Sequence, residues 1–115
     1  MNIFTGNVQK GAKRGSALGF PTINIPLTDD TLSGIYAARV RIKEDESAYM
    51  AAVYADKKRK LLEAYLLDFT DDLYGQEIRI ELHEKIREGM TFPDEETLHA
   101  AIAQDVAKVR EYFTT

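Results

Sequence analysis

Polar and apolar positions alternate along most of this chain and then change period near its end. Between Gly34 and Lys43, the residues Tyr36, Ala38, Val40 and Ile42 share one face, with Arg39 and Arg41 on the other. That period of two is the signature of a half-buried strand. Gln76–Ile86 repeats it: Ile78, Ile80 and Leu82 point inward, and Glu77, Arg79, Glu81 and His83 point outward. Ala48–Ala55 and Leu61–Asp68 flank the basic run Lys57-Lys58-Arg59-Lys60, which predicts a hairpin with a solvated turn. Ile3–Val8 supplies another strand. Pro21–Pro26 is short and bounded by prolines, whose missing N–H confines such a segment to a sheet edge or an irregular stretch. Beyond Pro93 the period changes, with Leu98, Ile102, Val106, Val109 and Phe113 recurring every three or four positions, as on a helix. Asp94 is placed to cap that helix, and Glu95 and Glu96 suit the positive end of its dipole. Six short strands and a closing helix predict one all-β domain over residues 1–115, a small antiparallel barrel with the helix packed against it.

Composition narrows the classes. A chain of 115 residues can bury one sizeable core but not two. Its 44% hydrophobic and 30% charged content is that of an ordinary soluble domain. The absence of cysteine excludes disulfides and thiolate metal sites, and fits a reducing compartment. No apolar run reaches the length of a membrane span, and MNIFTGNVQK has neither the basic start nor the apolar stretch of a signal peptide. A cytoplasmic location without membrane contact is therefore expected. The net charge of −4 argues against general nucleic-acid binding. Residues 1–28 nonetheless carry Lys10, Lys13 and Arg14 with no acidic residue, either by chance or as a local field for an anionic ligand.

Several residues invite chemistry. Gly6, Gly11, Gly15 and Gly19 are spaced by five, four and four residues, and Gly11–Gly19 reads as a loop. Such glycines either make turns or bring backbone N–H groups close to a phosphate. Ala12 stands where a Walker A loop needs Lys followed by Ser or Thr, so the loop is not of that type. Thr22 and Asn24 project to one side of a strand. Their oxygens either steady the proline-bounded segment or serve as neutral ligands for a hard cation that shares its shell with substrate phosphates. Glu63 is a carboxylate amid the apolar run LLEAYLLDF. It is either a partly buried general base or a charge that discourages edge-to-edge pairing. Phe69, Tyr74 and Phe92 lie near turns, as loop plugs or as a planar ligand's neighbours. His83 and His99 are expected at the surface.

Taken together, the segments GNVQKGAKRGSALGFPTINI, SGIYAARV, LLEAYLLDF, DLYG and IREGMTF resemble the riboflavin kinases, including the kinase module of bacterial bifunctional FAD synthetases. The likeness runs through nearly the whole chain in order. It implies a six-stranded Greek-key barrel with a C-terminal α-helix, and transfer of the ATP γ-phosphoryl to the ribityl 5′-hydroxyl of riboflavin, giving FMN and ADP. By matched position it implies that Glu63 is the catalytic base and that Thr22 and Asn24 hold Mg²⁺ beside the ATP phosphates. It further implies that Gly11, Lys13, Gly15, Ser16 and Thr22 contact the nucleotide, and that Arg87 and Phe92 contact the flavin. A monomer is expected. The chain departs from the family's pattern in VYADKKRK, which is shorter and lacks the usual Asn-Ile-Gly and Pro-Thr, and in Glu-Gly-Met-Thr between Arg87 and Phe92. Those departures leave two alternatives, a non-catalytic flavin- or nucleotide-binding module of the same fold and a flavin kinase with a different donor. The adenylyltransferase module of the bifunctional enzymes, and so FAD synthesis, is not expected of this chain.

Overall fold

Alternation becomes strand and the helical period becomes helix in the structure, a computed structural model that describes residues 2–9, 22–43, 47–69 and 73–114. The elements are β1 (Asn2–Asn7), β2 (Ile23–Pro26), β3 (Gly34–Ile42), β4 (Ala48–Asp56), β5 (Leu61–Leu66), β6 (Glu77–Arg87) and the helix α1 (Glu95–Thr114). They form one sheet in the order β1-β6-β3-β4-β5-β2, antiparallel at every pair. β3, β4 and β5 follow as hairpins and β6 returns beside β3, which is the Greek-key arrangement. Two register shifts between β3 and β6, at Ile35/Tyr36 and Ala37/Ala38, add the local twist that curls a sheet. The sheet's two ends then meet: the Gln9 N–H donates to the Asn24 carbonyl at 2.7 Å, so the barrel is nearly closed.

Inward-facing Ile25, Val40, Val53, Leu62, Ile78 and Ile80 fill the barrel and are almost wholly buried. A second, smaller core lies outside it. Val109 of α1 is buried against Ala37 and Leu67, with Met50, Val106, Tyr112 and Phe113 around them. Ala37 and Ala52 are cross-strand partners there. Their small side chains let the helix lie close to the sheet. Asp94 caps α1 as its sequence position suggests, accepting from the Thr97 N–H at 2.8 Å and the Thr97 hydroxyl at 2.7 Å.

Some boundaries and exposures differ from the pattern-based expectation. β5 stops at Leu66 because Asp68 turns the chain with a φ of 60°, and its carboxylate is gripped by Arg110 of α1 at 2.9 and 3.0 Å. β2 begins only at Ile23, and as the prolines predict it is an edge strand, pairing with β5 along its length. His99 is exposed, but His83 is not the surface residue expected. The last turns of α1 cover it, with Tyr112 and Phe113 edge-on at ring separations of 5.7 and 5.1 Å. Arg39 stacks over the same Phe113 ring at 4.8 Å. The outward face of β6 is therefore partly an interior one. Glu81, also outward, is 7% exposed and held by Arg41 at 2.9 Å and Arg79 at 3.3 Å.

Candidate active site

The β2–β5 register sets Asn24 directly opposite Glu63. Their neighbours Ile25 and Leu62 point into the barrel, so strand alternation sends Asn24 and Glu63 to the outer face. Asn24 is only 2% exposed, and its Oδ1 has no hydrogen-bond partner among the described residues. A buried carbonyl oxygen without a partner costs about 1–3 kcal/mol, so its persistence calls for a missing partner.

Beside this pair, between barrel and helix, lies a cavity of about 580 Å³. Thr22, Glu63, Arg87 and Phe92, four residues singled out from the sequence, all line it. One part of its wall is charged, with Asp56 at the end of β4 and Lys58 and Arg59 from the β4–β5 turn joining Glu63. Another part is largely apolar, formed by Met90 and Phe92 of the segment after β6 and by Leu98 and Ile102 of α1. Of the predicted helical stripe, Val106, Val109 and Phe113 thus pack on the barrel, while Leu98 and Ile102 face the cavity. Phe69 packs instead against Tyr49, with ring centroids 4.8 Å apart, and Tyr74 is exposed. The three aromatics do not form one stack.

Glu63 is partly buried and lies on β5, an interior strand rather than an edge. Its side chain is 16% exposed and ion-paired with Arg59. Arg59 is in turn anchored on Asp56, through Nε to Oδ2 at 2.7 Å and through its own backbone N–H to Oδ1 at 3.1 Å. Burial pushes the Asp56 carboxyl up, but the Arg59 hydrogen bonds and charge outweigh burial and hold it below its ordinary value. Lys57, Lys58 and Lys60 fit the solvated turn expected of this run, whereas Arg59 folds back over the site. Burial, and then the Asp56 charge, push the Tyr54 hydroxyl up, keeping it a neutral donor on the cavity wall.

Arg87 reaches across the seam. Its Nε and Nη2 donate to the two carboxylate oxygens of Asp105 on α1, both at 2.8 Å, and its Nη1 donates to the Glu88 carbonyl at 3.0 Å. The guanidinium carbon lies 5.7 Å from the centre of the Phe92 ring. Gly34 makes room for this corner: its φ is 91°, and a Cβ there would be driven into the Arg87 carbonyl oxygen. Asp105 was missed in the sequence, though it falls three positions after Ile102, inside the apolar stripe of the helix. Asp56 and Arg59 had no such signal, because a hairpin turn has no period.

Gly11, Lys13, Gly15 and Ser16 lie outside the described residues. Among the described residues no group of three or more His, Asp or Glu side chains is placed to hold a metal ion. Thr22 and Asn24 instead offer neutral oxygens, one of them the unpartnered Asn24 Oδ1. That donor set fits Mg²⁺, which keeps several waters and completes its shell with substrate phosphates.

The nearly closed Greek-key barrel thus brings a carboxylate, neutral oxygens and an apolar wall together along one seam. The riboflavin kinase (flavokinase) family model matches residues 2–113, and the chain belongs to that family. It is 36% identical over 118 residues to the bifunctional riboflavin kinase/FMN adenylyltransferase of Buchnera aphidicola subsp. Acyrthosiphon pisum, matching 95% of this chain and 38% of that protein. The chain spans about 38% of the length of the curated relatives that it matches. Among solved structures it is similar to a riboflavin kinase from Trypanosoma brucei, with a TM-score of 0.69 and 26% identity over 98% of this chain and 80% of that one. It is also similar to a macrolide-efflux protein from Streptococcus pneumoniae, with a TM-score of 0.79 and 26% identity over 94% of this chain and 38% of that one. Among the described residues, no helix is long and apolar enough to cross a membrane.

Proposed function

We propose that this domain transfers the γ-phosphoryl group of ATP to the ribityl 5′-hydroxyl of riboflavin, giving FMN and ADP. The observation that carries this reading is the convergence of Thr22, Glu63 and Phe92 on one cavity, with the unpartnered Asn24 Oδ1 next to Glu63. Phosphoryl transfer asks a protein mainly for positioning and charge compensation. Glu63, ion-paired with Arg59, receives the proton of the attacking hydroxyl. Thr22 and Asn24 would hold Mg²⁺, which supplies neutralisation of the triphosphate. The Gly11–Gly19 loop, with Lys13 and Ser16, would contact the nucleotide phosphates through backbone N–H groups and positive charge. Phe92, with Met90, Leu98 and Ile102, offers apolar surface for the flavin ring, and Arg87 braces that wall. A cytoplasmic monomer working on riboflavin and ATP, without nucleic acid or membrane, completes the reading.

Incubation of the purified protein with riboflavin, ATP and Mg²⁺ is expected to yield FMN and ADP in equal amounts, resolved by chromatography. In the same assay Glu63→Gln is expected to lower kcat about 10²–10⁴-fold while riboflavin binding persists. Tight riboflavin binding without FMN would replace this reading with that of a binding module.

A further inference from the structure

We propose that Arg59 is a positioning residue for Glu63. Anchored by Asp56, its guanidinium fixes the Glu63 carboxylate at the cavity wall, so the β4–β5 turn becomes part of the catalytic apparatus. The inference rests on Glu63 being the group that receives the acceptor proton. A glutamate on a strand can swing about three side-chain torsions, and small misplacements of a reacting group are expensive in rate. Arg59 removes that freedom from one side. Residue 59 is itself tethered twice to one carboxylate, once by its backbone and once by Nε, which leaves its terminal nitrogens to pair with Glu63. A planar fork held in this way loses little further entropy when it orients a partner.

Two observations set this triad apart from an ordinary surface ion pair. The Asp56 and Glu63 side chains are 10% and 16% exposed, whereas those of Lys43 and Glu77, an ordinary surface pair, are 70% and 40% exposed. Asp56, Arg59 and Glu63 also all line the cavity, so the triad borders the substrate space, with the Arg59 side chain still 38% exposed at its rim. The turn 57–60 is closed by Lys60 at a φ of 56°, which returns the chain so that Arg59 comes back over the strand it precedes.

The test is a double-mutant cycle on FMN formation, with kcat and both KM values measured for Arg59→Met in the wild-type and Glu63→Gln backgrounds. Arg59→Met alone is expected to lower kcat about 10- to 100-fold with little change in either KM. In the Glu63→Gln background it should have almost no further effect, because the group it positions is gone. Arg59→Lys should recover part of the rate, and Lys57→Ala, which removes a charge from the same turn, should leave it unaltered. Should Arg59→Met fail to fold, Asp56→Asn, which frees the guanidinium from its anchor, is expected to show a smaller drop with the same non-additivity. An unchanged kcat in Arg59→Met, or an equal loss in both backgrounds, overturns the inference and leaves a role in the hairpin alone. Absence of FMN from the wild-type protein overturns the reading of the reaction itself.

Discussion

At the scale of single residues, the informative atom is Asn24 Oδ1. Few buried carbonyl oxygens in native proteins go unpaired, and this one, without a partner among the described residues, sits opposite Glu63 on β2. If it is a cation ligand, its role appears only when the Mg²⁺-nucleotide is present. Asn24→Ala is then expected to raise the Mg²⁺ concentration needed for half-maximal FMN formation about tenfold, with a similar but smaller shift for Thr22→Ala and unaltered riboflavin binding. Metal titrations of activity, beside flavin fluorescence titrations, measure the two quantities separately. Identical Mg²⁺ dependence in both variants would return Thr22 and Asn24 to a structural role. Pattern alone left these residues open, because a strand's alternation says which side chains share a face and not what lies across from it. Arg59 was harder still, since nothing in a run of four basic residues marks the one that folds back.

At the scale of elements, the site depends on a single joint between β6 and α1. Arg87 and Asp105 form a bidentate pair with side chains only 20% and 5% exposed, and the Glu88 carbonyl and the Phe92 ring gather on the same guanidinium. Removing one partner leaves a charge with no compensation. Asp105→Ala is therefore expected to lower stability by about 3–5 kcal/mol in urea denaturation, and to loosen the segment carrying Met90 and Phe92. Replacing both partners together, as Arg87→Met with Asp105→Leu, should recover much of the stability, because a desolvated pair can be exchanged for apolar packing. Flavin affinity should remain lowered in the double variant, because the brace between Glu88 and the helix is gone. A double variant no more stable than Asp105→Ala would show that the pair itself is not what holds the joint. The elements it joins were legible in the sequence: strict alternation located β3 and β6, and the three-to-four spacing located α1. The pairing between them was not, because it is set by how the helix docks. The same docking buries His83, whose alternation on β6 looked like that of any solvent-facing residue.

At the scale of the whole molecule, two buried carboxylates tie the fold to pH. Burial raises the Glu81 carboxyl, but Arg41, followed by Arg79 and His83, more than offsets it and holds it below its ordinary 4.5. Asp56 is likewise held below its ordinary 3.8 by Arg59 despite its burial. Because both folded values are depressed, the unfolded chain binds more protons than the folded one in acid. The stability these groups contribute is then fully present above their unfolded values and is lost as pH falls through the folded ones. Asp29, Asp68, Glu88 and Asp94 are shifted the same way but lie at the surface, where salt screens them. In moderate salt the melting temperature is therefore expected to stay level from neutral pH to about 5, then to fall below about 4. Arg41→Gln separates this cause from general acid expansion. It removes the group that compensates Glu81, so the variant should melt well below the wild type at neutral pH. That gap should narrow as Glu81 becomes protonated in both proteins. A gap that stays constant down to the acid transition would mean that Arg41 stabilises the barrel by packing its alkyl stem rather than by its charge.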